Sequence, residues 1–157
     1  MNTAVTKQAQ RYLIRPMRRD DIPAVVAIEQ DSFPDPWTPH MFEEELHNRE
    51  AHLFSLTHGS SRNVVGYCCY RIILDTADLM NIAVHHKHRG TQAGIQLMDH
   101  MIAEFRKKKV RFVFLEVRSN NNPAISLYRK YGFVTQRIRR RYYQKTGEHA
   151  HEMLLVL

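Results

Sequence analysis

The stretch from Leu79 to Val117 constrains this chain more than any other. Leu79 to Val84 reads as a strand and His85 to Thr91 as a loop. Leu97, Met98, Met101, Ile102 and Phe105 then recur at the spacing of one helical face, and Arg111 to Val117 is a strongly apolar strand. A strand, a helix and a strand in that order pack with the two strands parallel and the helix across one face. The predicted class is therefore α/β, with a mixed central β-sheet.

The remaining elements fill in around this unit. Tyr12 to Arg15 reads as a first strand, and Asp20 or Asp21 can cap a helix that has Pro23 in its first turn. The run Ser32 to Pro39 is too proline-rich to continue that helix, and Thr38 with Pro39 opens a second one carrying Met41, Phe42 and Leu46. His52 to Thr57 and Val64 to Leu74 form a strand pair across the turn-like 58–63 segment. Pro123 opens another helix, which Gly132 ends as a left-handed cap. Phe133 to Tyr143 and Met153 to Leu157 are the closing strands, with Thr146-Gly147-Glu148 in the turn. The predicted order is β-α-α-β-β-β-α-β-α-β-β, with about four helices, and residues 12–157 form one domain behind a flexible tail of residues 1–11.

Composition narrows the setting. No apolar run approaches the roughly 20 residues that span a bilayer, and the polar N-terminus carries no signal-peptide pattern. The expected location is cytoplasmic. The two cysteines, Cys68 and Cys69, are neighbours whose side chains a strand sends to opposite faces, so they read as buried thiols. The net charge of +7 concentrates at Arg106 to Lys109 and at Arg137, Arg139, Arg140 and Arg141. The first cluster suits the negative end of a helix. The second could attract nucleic acid, a ribosomal surface, an acidic peptide or cofactor phosphates.

Three segments carry possible chemistry. In the first, a strand ending in Asn81-Ile82-Ala83-Val84 runs into a glycine-bearing loop and then a helix, a natural phosphate cradle with Arg89 adding a cation. It reads equally as a plain strand-to-helix connection. In the second, Glu116 is the single acid of an apolar strand. It is either a general base with a raised pKa or half of an ion pair with Arg118. In the third, Asn120 to Asn122 precede the proline-led helix, and Tyr128 and Tyr131 lie one turn apart with Ile125. Those tyrosines are either core or functional.

Together the segments resemble the GNAT superfamily of acetyltransferases over nearly the whole chain, from about Tyr12 to Leu157. The resemblance rests on the strand and loop from Asn81 to Gly94, on Leu115-Glu116-Val117-Arg118, and on Asn121, Ala124, Leu127, Tyr128, Gly132 and Phe133. Phe33-Pro34 through Trp37 and Arg140-Arg141-Tyr142-Tyr143 make the chain similar to the RimI-type ribosomal-protein alanine N-acetyltransferases. The resemblance implies acetyl-CoA as cosubstrate, Glu116 as base and Tyr128 as acid. Ile82, Ala83 and Val84 would hold the pantetheine arm. Arg89, Gly90, Thr91, Gln92, Ala93, Gly94 and Ile95 would hold the pyrophosphate, and Asn121 would contact the cofactor near Tyr128. Trp37, Tyr142 and Tyr143 would wall the groove for a protein or peptide N-terminus, such as that of a ribosomal protein. One departure stands out: Gln92 occupies the place of the loop's first signature glycine, which puts tight cofactor binding in question.

Other readings are weaker. His85-His86-x-His88 lacks zinc-site spacing, so the expectation is no metal. Ser126 has no nucleophile-elbow context. The basic and aromatic stretch Arg137 to Tyr143 could hold RNA, but neither specific nucleic-acid binding nor a membrane partner is expected. Two alternatives remain beside N-terminal acetylation: a GNAT enzyme acting on lysine or a small amine, and a catalytically weak GNAT-fold binding module.

Overall fold

The computed structural model describes residues 12–157, so the predicted tail at 1–11 lies outside the described residues. The chain runs β1 (Tyr12–Pro16), α1 (Ile22–Ser32), α2 (Pro39–His47), β2 (Ala51–His58), β3 (Asn63–Ile73), β4 (Thr76–Val84), α3 (Ala93–Lys107), β5 (Phe112–Arg118), α4 (Asn122–Lys130), β6 (Val134–Tyr143) and β7 (Glu148–Val156). This is the predicted order. The last strand starts five residues earlier than Met153, because Glu148 to Glu152 pair along β5 and β6 although the segment is polar.

The strands form a seven-stranded sheet in the order β1-β2-β3-β4-β5-β7-β6. Only β4 and β5 pair in parallel, as the strand-helix-strand unit demanded. The helices cover the sheet on both faces. Leu97, Met98, Met101, Ile102 and Phe105 of α3 and Ile125 and Tyr128 of α4 join one core cluster with Leu115 and Val117 of β5. Ile22, Val25, Val26 and Ile28 of α1 and Phe42 of α2 join the other with Tyr67 and Ala83. The cysteines mark the division: Cys68 belongs to the first cluster and Cys69 to the second, both free and fully buried. With both faces covered, Val65 to Tyr70 is buried without a break.

Two features of the sheet position the site. β4 and β5 pair only through Thr76–Asp78 and Phe112–Phe114, and then separate. Just past that point β4 bulges: Leu79 faces Tyr70 and Asn81 faces Cys69, leaving Met80 as the extra residue. The strands thus open into a fork. Gly132 ends α4 at φ +98°, the left-handed cap that was expected.

One expectation changes at the start of α1. Neither Asp20 nor Asp21 caps that helix with its side chain. The Asp21 carboxylate instead accepts from the Arg18 backbone N–H at 2.8 Å, from two Arg15 nitrogens at 2.6 and 2.9 Å, and from the Ser55 hydroxyl at 2.9 Å. It knits β1, the entry to α1 and β2. Burial raises the Asp21 pKa, but the bonds from Arg15, Arg18 and Ser55 outweigh it and hold the group below its ordinary value.

A carboxyl with a lowered folded-state pKa contributes stability above its unfolded pKa and loses it as pH falls through the folded value. Asp21→Ala is therefore expected to lose about 3 kcal/mol at neutral pH, the usual cost of breaking a buried pair. The deficit should shrink as the pH is lowered below the carboxylate range, and urea unfolding across pH measures both effects.

Candidate active site

The fork opens into a cleft of about 1280 Å³. One wall is the free edge of β4, where Ile82, Ala83 and Val84 pair with β3 on one side and have no β5 partner on the other. Apart from the Val84 carbonyl, which accepts from Arg89, backbone donors and acceptors on that edge can pair with an extended ligand. Beyond Val84 the cleft is lined by Arg89, Gly90, Thr91, Gly94 and Ile95, and across it by Asn121, Ala124 and Tyr128.

The loop end suits an anion. Gly90 sits at φ +71° with nothing within 4 Å of where a Cβ would stand, so the loop turns sharply and stays open. α3 begins at Ala93, and among the described residues no side chain of its N-cap residue, Gln92, caps it. Gly94 and Ile95 of its first turn line the cleft, at the end of the helix where N–H groups lack helical partners and the dipole is positive. Gln92 and Ala93 do not line the cleft, and Ala93 is fully buried in the core. Gln92 has φ −84°, an ordinary conformation for any residue, so a glycine is not required there. The Arg89 guanidinium donates to the Val84 carbonyl at 3.0 Å and to Ser32 Oγ at 3.1 Å, tying the loop to α1. Asn121 caps α4 by accepting from the Ala124 N–H at 3.3 Å. These residues fit an extended cofactor with a phosphate end, held largely by backbone.

Glu116 and Tyr128 reach the cleft from opposite faces of the sheet. Leu115, Val117 and Tyr128 share the core cluster under α3 and α4, so strand alternation turns Glu116 to the other face. The ion pair considered between Glu116 and Arg118 does not form. Glu116 lies 3.6 Å from Arg139 and directly opposite Glu152 on β7. Burial raises its pKa, Glu152 and Asp78 raise it further, and Arg139 and Arg137 pull it back only in part. Its side chain is 34% exposed, enough to meet solvent or a substrate amine. Tyr128 is 7% exposed, and burial pushes its phenol above the ordinary range, so it stays protonated at neutral pH. Tyr131 points elsewhere, donating to Asp99 at 2.7 Å.

Arg118 proves to be the organiser of the other end of the cleft. It donates to Asp35 at 2.5 Å, pairs with Glu148 at 2.8 Å and lies 4.0 Å over the Tyr143 ring. One buried guanidinium so links the α1–α2 loop to the β6–β7 hairpin. Trp37, Tyr142 and Tyr143 all line this end. Trp37 packs 5.2 Å from Phe42, and Tyr142 carries Arg139 at 4.5 Å.

The sequence reading missed Glu29. It is 1% exposed, lines the cleft, and accepts from the Trp37 backbone N–H at 3.1 Å, from Asn81 Nδ2 at 2.7 Å and from the Tyr67 hydroxyl. A signal was present, since Glu29 falls four residues after Val25 and seven after Ile22, on the apolar face of α1. Among the described residues no group of three or more His, Cys, Asp or Glu could hold a metal ion. No described helix is long and apolar enough to cross a membrane.

Comparison with known proteins agrees with this geometry. The family model of the acetyltransferase (GNAT) family matches residues 22–133. The [ribosomal protein bS18]-alanine N-acetyltransferase of Escherichia coli is 33% identical over 144 residues, covering 92% of this chain and 95% of that protein. Its crystal structure superposes with a TM-score of 0.84 over 93% of this chain and 94% of that one. A Bacillus subtilis relative named for the same reaction is 38% identical over 138 residues, 87% of this chain and 90% of that protein. Arabidopsis thaliana NAA60, solved in complex with acetyl-CoA, shares the fold at 18% identity with a TM-score of 0.84, over 94% and 99% of the two chains. On the family match and on these relatives, the forked sheet and its cleft are those of an acetyltransferase, and the chain belongs to the GNAT family.

Proposed function

We propose that this acetyltransferase moves the acetyl group of acetyl-CoA to the N-terminal α-amine of a protein, with a ribosomal protein beginning in alanine as the acceptor class. The observation that carries the reading is the fork between β4 and β5, which sets Glu116 and Tyr128 on opposite sides of one opening. The bS18-alanine relatives support the acceptor class, and that class implies a cytoplasmic setting.

Acetyl-CoA supplies the activated thioester. On the protein side, the free β4 edge at Ile82, Ala83 and Val84 holds the pantetheine amides as an added strand. The Arg89 to Ile95 loop holds the phosphates, with the Gly94 and Ile95 N–H groups foremost. Glu116 takes a proton from the acceptor amine as its nitrogen bonds to the acyl carbon. Backbone N–H groups of β4 stabilise the negative charge that develops on the acyl oxygen. Tyr128 gives its phenolic proton to the sulfur as the carbon–sulfur bond breaks. Trp37, Tyr142 and Tyr143 wall the acceptor. An α-amine needs only modest base assistance, its pKa being about 7.7–8.0 against about 10.4 for lysine. The basic segment Arg137 to Arg141 attracts an acidic peptide or an RNA-rich particle.

Cofactor binding, the site residues and the acceptor each give a test of this reading. Acetyl-CoA at about a hundred times its Kd should stabilise the fold by roughly 2.7 kcal/mol. Gln92→Gly should leave that stabilisation almost unchanged, because the Gln92 side chain lies outside the cleft; calorimetric titration reads both. Glu116→Gln should lower kcat by about 10²–10⁴-fold, the usual worth of acid–base catalysis. With a raised Glu116 pKa, wild-type activity should fall as pH drops through that value, and the Gln variant should recover partially at high pH, where the amine is already neutral. Tyr128→Phe should lower kcat without changing acetyl-CoA affinity. The acceptor is tested with paired peptides, one with a free N-terminal alanine and an internal lysine, the other already acetylated at its N-terminus. Only the first should gain an acetyl group, whereas equal labelling of the blocked peptide would favour lysine.

A further inference from the structure

Glu29 is a buried acid that the reaction above does not use, and a carboxylate in this position is costly unless its partners repay it. Its three donors come from three different elements. Trp37 belongs to the α1–α2 loop, Tyr67 to β3, and Asn81 to the bulge of β4, immediately before the edge that faces the fork. We propose that Glu29 is a positioning residue that locks the Trp37 wall of the acceptor site to the bulged start of the cofactor strand, so that amine and thioester meet in a fixed relation. The proposal rests on the acceptor reading above, and it assigns to Glu29 no contact with either substrate.

Geometry gives the lock a defined state. An ionised carboxylate accepts all three bonds at once, and bonds to a charged acceptor are about twice as strong as neutral ones. Protonation removes that charge: the carboxyl hydrogen on Oε2 must turn to the Tyr67 hydroxyl, reversing that bond, and the bonds from Trp37 and Asn81 fall on a neutral, weaker acceptor. The groups facing Glu29 bear on this balance. Asp35 on the loop, neutralised in part by Arg118, disfavours the charge, and Tyr67 and Cys69 are the titratable neighbours on β3. β4 offers only the neutral Asn81. Burial is the largest influence; against it work the Trp37 N–H and Asn81, and the balance leaves the Glu29 pKa at about 7. The lock therefore tightens as pH rises through neutrality.

Trp37 is the single tryptophan of the chain and reports the lock directly. Its fluorescence, followed from pH 5.5 to 8.5 on the full chain, should pass through a transition centred at about 7. Glu29→Gln should abolish that transition, while Glu116→Gln should retain it. The Gln side chain keeps the shape and two of the acceptor bonds, so the fold is expected to survive. Tyr67→Phe removes one donor but leaves the charge, and should move the midpoint upward, because the ionised form loses a partner. In the acetylation assay Glu29→Gln should lower kcat/KM for the acceptor peptide by up to about 10²-fold, the scale of a small misplacement. The acetyl-CoA dissociation constant should stay unchanged. A fluorescence transition that persists in Glu29→Gln, or an unaltered kcat/KM for the peptide, would overturn the proposal. If the wild-type enzyme labels only lysine while Trp37 still titrates through Glu29, the acceptor assignment fails and the lock stands.

Discussion

The structure depends on how briefly β4 and β5 run together. Three register pairs, Thr76–Asp78 with Phe112–Phe114, join the two halves of the sheet, and beyond them the strands separate. A backbone edge left unpaired inside a protein is costly unless something completes it. Here the open edge is Ile82 to Val84, and its surroundings are arranged around that incompleteness. The start of α3 and the Asn121 cap of α4 both border the opening, so two helix N-termini with their positive dipole ends meet there. The bulge at Met80 lets β4 turn its free edge without breaking its ladder to β3.

The fork also resolves a difficulty of sheets. Residues on opposite faces of one sheet ordinarily never meet, because the backbone lies between them. Where β4 and β5 part, a side chain from the α1 and α2 face and one from the α3 and α4 face border the same space. Glu116 and Tyr128 use that gap. Their environments differ accordingly. Glu116 is half exposed among Glu152, Asp78 and two arginines, so its pKa rises while it remains able to exchange a proton. Tyr128 is sealed in the core cluster and keeps its proton at neutral pH. One sheet thereby brings a carboxyl and a phenol to the same opening in separate surroundings, which is what the proposed base and acid require.

Most of the element order was legible in the sequence, because helical and strand periodicities differ sharply and the prolines at 23, 39 and 123 mark the starts of α1, α2 and α4. What could not be read were the side-chain partnerships across distance. Arg118 was visible only as a neighbour of Glu116 two residues away, yet it serves Asp35, eighty-three positions earlier, and Glu148 on the next hairpin. Asp21 carried the mark of a helix cap and instead binds Arg15 and Ser55. The start of β7 was missed because polar residues 148–152 are held by pairing on both edges rather than by burial pattern. Gln92 appeared as a departure because the motif names a residue type, whereas its backbone, at φ −84°, lies in a region that any residue adopts.

That last contrast separates the two ends of the cleft. The end proposed for the cofactor is built from strand edge, loop backbone and helix N-terminus, and backbone groups are the same whatever side chains stand there. The end proposed for the acceptor is built from residues held by other side chains: Trp37 by Phe42 at its ring and by Glu29 at its backbone N–H, Tyr143 by Arg118, Tyr142 by Arg139. Changing one member there leaves a buried charge or donor without its partner, which costs far more than the contact itself is worth. A motif can thus identify the cofactor end from sequence. The resemblance also pointed to Trp37, Tyr142 and Tyr143, but the partnerships that hold them, with Phe42, Glu29, Arg118 and Arg139, become visible only when the chain is folded.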